Sequence, residues 1–81
     1  MEKYYEIKEK HPDYLLIFRN ADFWEMYVND ATIASRVLNI DIRKQTHGHG
    51  QTPLMIRFPC NELDNHLTKL IRSGIRVALC E

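Results

Sequence analysis

The stretch RNADFWEMY, Arg19 to Tyr27, sets Phe23, Trp24 and Tyr27 beside the carboxylates Asp22 and Glu25. Such a set could be ordinary core, or a stacking platform with an acid at its edge. In a strand, successive side chains point to opposite faces. Phe23, Glu25 and Tyr27 then share one face, and Trp24, Met26 and Val28 share the other. The second set is uniformly apolar and belongs to the core. The first puts a flat ring two residues from a carboxylate, on what should be the exposed face. There Phe23 could stack on a base while Glu25 accepts a hydrogen bond from that base's edge. A purely structural Phe and Glu on a hairpin is the commoner arrangement.

Other constellations offer less. Asp13, Asp22, Glu25 and Asp30 could suggest paired carboxylates for hydrolysis. Only Glu25 lies on the aromatic face, and no nucleophile, base and orienting group converge by spacing, so no enzyme is expected. His47 and His49 flank a glycine in HGHG, but two histidines without a third ligand make a weak metal site. Neither a metal nor a cofactor is implied. Arg43, Lys44 and Arg57 fall on adjoining strands and could form a small phosphate-contacting patch; scattered surface charge is the usual alternative.

These side chains must be positioned by a small body. The 81 residues make one domain, 1–81, and chains of this size bury only about 60–65% of their unfolded surface. An apolar share of 44% with 27% charged residues suits a folded globule. Eleven basic residues balance eleven acidic ones, so the whole molecule exerts no strong pull on phosphate or anionic lipid. Any nucleic-acid contact must come from a local patch or from a partner. No apolar run approaches the roughly 20 residues of a membrane span, and MEKYYEIKEKHP lacks the apolar stretch of a signal peptide. The cytoplasm is the expected compartment, where Cys60 and Cys80 are expected to remain buried thiols rather than a disulfide.

The pattern of elements predicts an α+β fold: a mixed sheet of about five to six strands flanked by three helices. Residues 2–10 read as a helix ended by His11-Pro12, because a residue before proline avoids the α region. Tyr14 to Phe18, YLLIF, suits a strand buried on both faces. Asn20-Ala21 is a two-residue turn candidate, and Asp22 to Val28 completes a hairpin. Asn29 or Asp30 can cap a helix through Leu38, with Ile33, Ala34, Val37 and Leu38 on its apolar face. Ile40 to Thr46 alternates as a strand with one wet face, and Leu54 to Phe58 returns as another. Asn61 is expected to cap the last helix, whose stripe is Leu63, Leu67, Leu70 and Ile71, and Gly74 to end it in a left-handed cap. Ile75 to Cys80 is the final strand.

The stretch HPDYLLIFRNADFWEMYVNDATIASRVLNI resembles the start of the DNA mismatch-repair family MutS, in its N-terminal mismatch-recognition domain (domain I). The similarity continues through TPLMIRFPCNELDNHLTKLIRSGIRVALCE and covers almost the whole chain. It implies a mixed sheet flanked by helices and a Phe-x-Glu motif that enters a mismatch from the minor groove. Phe23 would stack on the mispaired base and Glu25 would hydrogen-bond to it. DNA, engaged with help from a partner protein, is the implied target. Departures from the family pattern include Ala21 and Arg57, where the family has glycines, Asn61 in place of histidine, and Gln45 in place of a basic residue. The family's P-loop, GxxxxGK[ST], and its clamp and lever are absent from these residues. The starting methionine and the ending lead us to expect a stand-alone relative. An alternative keeps the fold but docks a protein partner on the same aromatic face, and zero net charge favours it.

Overall fold

The computed structural model describes residues 2–44 and 54–81. The HGHG loop and Gln45 lie outside these. Helix α1 (Glu2–Lys10) runs as its sequence suggests and stops where His11 precedes Pro12. Strand β1 (Leu15–Asn20) and strand β2 (Phe23–Tyr27) form an antiparallel hairpin. The turn is Ala21–Asp22, one residue later than Asn20-Ala21, because Asn20 is still paired, with Phe23. Ala21 has φ 55°, the left-handed conformation for which the family's glycine is suited.

Helix α2 (Val28–Leu38) starts directly from β2. With no linking residue to reverse the chain, Val28 takes φ 56°, an unusual conformation for a β-branched residue. The expected cap at Asn29 or Asp30 is not made. Tyr27 occupies the cap position without a side-chain hydrogen bond, and the Asp30 carboxylate turns elsewhere. Its Oδ2 accepts from the Leu16 backbone N–H at 3.2 Å and the Tyr4 hydroxyl at 3.1 Å, and its Oδ1 pairs with Lys8 Nζ at 2.8 Å. One buried carboxylate thus ties α1, β1 and α2 together. Burial, and then Asp30, push the Tyr4 phenol well above its usual range, so it stays a donor.

At the other end of α2, Asn39 adopts φ 57° and the Ile40 N–H bonds back to Ser35 O at 3.2 Å. This draws Ile40 into the core instead of a strand. Strand β3 is consequently Arg43–Lys44 within the described residues, shorter than Ile40–Thr46. Strand β4 (Leu54–Pro59) leads into a 3-10 turn, Cys60–Glu62, and then α3 (Leu63–Arg72). The 3-10 turn absorbs Asn61, so Glu62 and not Asn61 precedes the helix, again without a side-chain cap. Helix α3 closes with Gly74 at φ 81°, with the Gly74 N–H on Ile71 O and the Ile75 N–H on Leu70 O, a Schellman ending. Because Ile75 is used there, β5 begins at Val77 (Val77–Cys80) rather than Ile75.

Among the described residues the sheet has order β3-β4-β2-β1-β5: four full strands and the two-residue β3 at one edge. This is the lower end of the five to six expected. Only β1 and β5 run parallel, so the sheet is mixed. One face carries Leu15, Ile17, Trp24, Met26, Ile56 and Phe58 against Ala31, Ala34 and Leu38 of α2 and Leu70 of α3. On the opposite face, Tyr4 of α1 packs its ring against Phe18 and Tyr27. Cys60 and Cys80 are unpaired thiols, half-buried rather than fully buried, and burial pushes the Cys80 thiol up. No helix among the described residues is long and apolar enough to cross a membrane.

His66 of α3 is buried with its ring centroid 4.6 Å from that of Phe58, and its Nδ1 has no partner among the described residues. Burial, aided by Lys69 and opposed by Glu62, lowers its pKa below the ordinary 6.5. The unfolded chain then binds the extra proton first. His66 therefore leaves stability intact above pH 6.5 and removes it as pH falls from there toward the lower native pKa. The urea midpoint should drop between about pH 7.5 and about pH 5.5, and His66→Phe should flatten that drop.

Candidate functional site

The site stands on β2, where the alternation of the sequence is realised. Trp24 and Met26 point into the core, at 4% and 0% exposure, and hold the strand from behind. Phe23, Glu25 and Tyr27 share the other face, as expected, but that face is not open. Phe23 is half-buried, and Glu25 is only 4% exposed. Periodicity places side chains on a face without saying what covers it.

Three neighbours hold the Glu25 carboxylate. The Tyr27 hydroxyl donates to Oε1 at 2.5 Å, and Asn20 Nδ2 lies 3.2 Å from both oxygens. Arg57, directly opposite Glu25 in the β2–β4 register, brings Nε to 3.9 Å from Oε2. Every one of these groups is a donor or a cation, so the buried carboxylate is compensated. Burial, and then Glu25 as acceptor, push the Tyr27 phenol well above its usual range, which keeps its proton on the bond to Glu25.

The same guanidinium covers the aromatic ring. Arg57 Cζ sits 3.9 Å from the Phe23 ring centroid, a close cation–π contact. Phe23, Glu25 and Arg57 are thus one cluster at the hairpin end of the sheet. Arg43 is exposed opposite Met55, which puts it on the same face as Arg57 one strand over. Lys44 is placed by its backbone opposite Leu54. Asp13 and Asp22 are exposed, and Asp30 is committed to its network, so among these candidates none joins Glu25 within the described residues.

Tyr27 and Asn20 were missed as partners of the acid. Both were legible in principle: Tyr27 lies two residues along the same strand face, and the hairpin register sets Asn20 opposite Phe23. The chemistry available is that of a recognition surface: a flat ring for stacking, an acceptor beside it and a cation on both.

This fold and site define a small α+β domain with an aromatic–acid pair on a β-hairpin. The family description MutS domain I matches residues 1–81, and the chain belongs to that family. It is similar to proteins named DNA mismatch repair protein MutS: 48% identical to that of Salinibacter ruber, 48% to that of Parabacteroides distasonis and 46% to that of Rhizobium meliloti. Each match covers 100% of this chain and 9% of the relative's length.

Proposed function

We propose that this domain reads mispaired or locally deformable duplex DNA, with Phe23 as the wedge and Glu25 as the acceptor for the base edge. The observation that supports it most is the placement of Phe23 and Glu25 side by side near a hairpin turn, on a strand whose reverse side is fixed in the core by Trp24 and Met26. A wedge needs such a rigid backing. Inserting an apolar side chain between base steps costs a few kcal/mol of unstacking, least where pairing is already weak. A mismatch is then recognised by its deformability rather than by base identity. Arg43 and Arg57 on that face supply the local positive charge that the neutral chain otherwise lacks, Lys44 falling at the alternate register position of the edge strand, and a partner protein supplies most of the affinity. No ATP hydrolysis is assigned to these residues, which lack a P-loop sequence.

The test is titration of the purified domain with matched and mismatched duplexes from low salt upward. With at most three cations engaged, log affinity should fall against log salt with a slope of about −2 to −3. Binding should be weak, in or above the range of roughly 10⁻⁴–10⁻⁶ M at physiological salt, and tighter for the mismatch. Glu25→Gln should strengthen binding to matched DNA, by removing a charge that phosphate repels, and so narrow the preference. Failure of both duplexes to bind at low salt, with Glu25→Gln changing nothing, would overturn the reading for the free domain. Docking of a protein partner on the same face would then lead, as the zero net charge favours.

A further inference from the structure

We infer that Arg57 is a built-in occupant of the base-reading site, a guanidinium that lies where a base would stack and that a base must displace to reach Phe23 and Glu25. The inference rests on the wedge reading above and adds the residue that sets its threshold. Three observations carry it. The guanidinium carbon stands 3.9 Å from the Phe23 centroid, the stacking distance of a planar group on a ring. The same side chain reaches Glu25, with Nε 3.9 Å from Oε2, so one group engages both halves of the pair. That Nε is buried and has no hydrogen-bond partner among the described residues.

The third point decides how firmly the cover is held. A well-made Arg–carboxylate pair places N–H groups within about 2.7–2.9 Å of the acceptor, often two at once. At 3.9 Å the pair with Glu25 is attraction without a hydrogen bond, and a buried donor is left unmet. Glu25 itself is satisfied by Tyr27 and Asn20, so it does not depend on Arg57 for its position. The cover is therefore held by the ring and by charge attraction to Glu25 without a hydrogen bond to either, while Tyr27 and Asn20 keep the acid in place when it leaves.

Cover and wedge have separable consequences. Binding to matched DNA through phosphates leaves the ring covered, whereas insertion at a mismatch requires the guanidinium to leave. Arg57 thus weakens mismatch binding selectively, and its charge helps both duplexes alike. The ratio of mismatched to matched affinity isolates the first effect.

The experiment measures that ratio for the domain and for Arg57→Ala, Arg57→Lys and Phe23→Ala, with each Arg57 variant also combined with Phe23→Ala. Arg57→Ala should raise the ratio about threefold, as removal of one cation–π contact allows, while lowering both affinities. Arg57→Lys keeps the charge but not the flat plate, and should raise the ratio with little loss of affinity. Neither should raise it once Phe23 is alanine. In the free chain, the Phe23 ring resonances should shift on Arg57→Ala and stay put on Arg43→Ala. An unchanged or lower ratio in both Arg57 variants, or ring resonances indifferent to Arg57, overturns the inference. If Phe23→Ala alone leaves the ratio untouched, it is the wedge reading that fails, and the two failures are told apart.

Discussion

Replacing Asp30 by alanine is expected to destabilise the domain by about 3–5 kcal/mol, the usual cost of breaking a buried ion pair from one side. Asp30 is 1% exposed and carries three donors: the Leu16 N–H, the Tyr4 hydroxyl and the Lys8 ammonium. Alanine leaves the first two buried without a partner, and it frees α1, whose hold on the sheet also includes the rings around Tyr4. Position adds to the effect. Asp30 lies in the first turn of α2, where a negative charge suits the helix dipole, and it follows Val28, whose positive φ persists only while its surroundings enforce it. Small domains often hold only about 5 kcal/mol in total, so Asp30→Ala should sit near the edge of folding, with Tm lowered on the order of 20 °C. Asp30→Asn keeps one carbonyl acceptor and should cost less, about 1–3 kcal/mol. Urea denaturation of the two variants checks the order; a loss under about 1 kcal/mol for alanine would mean that the network contributes little.

Asp30 also shows where sequence reading stops. As a polar residue just ahead of an apolar helical stripe it reads as a cap, and the short-range rule is sound. Its real partners come from α1 and β1, which no local pattern connects to it. Strands and helices were legible wherever one period dominated: the apolar run of β1, the alternation in β2 and the Gly74 ending of α3; the α3 stripe held only in part, since Leu70 is buried and Leu63 packs on the core but Ile71 is 58% exposed. Boundaries moved where a backbone group was claimed from outside the element. Ile75 and Ile40 were lost to helix endings, and Asn61 to the 3-10 turn. The site followed the same division. That Phe23, Glu25 and Tyr27 share a face follows from alternation, but the burial of Glu25 required Arg57 on β4 and Asn20 on β1 to close around it. A departure from the family pattern, arginine for glycine at 57, was the one visible sign that the face would be covered.

Phe23→Ala and Trp24→Ala, adjacent residues on opposite faces of β2, are expected to separate recognition from folding. Trp24 is 4% exposed within the core formed by Met26, Ile56 and Phe58, so alanine leaves a large cavity and should cost about 3–5 kcal/mol. Phe23 is half-buried near the hairpin turn, with the Arg57 guanidinium over its ring. Its truncation forfeits part of one side chain's burial and one cation–π contact, about 1 kcal/mol in all. Circular dichroism and urea midpoints should therefore show Phe23→Ala folded and Trp24→Ala close to unfolded. DNA binding should reverse the ranking. Without the ring, the gain from a pre-weakened base step, a few kcal/mol at most, has nothing to act through, and the mismatched duplex should bind no better than the matched one. Matched binding should persist on the proposed reading, which assigns the phosphate attraction to Arg43 and Arg57 and not to Phe23. Equal destabilisation by the two substitutions would make the face of Phe23 structural. A folded Phe23→Ala that still prefers the mismatch would move recognition away from the hairpin altogether.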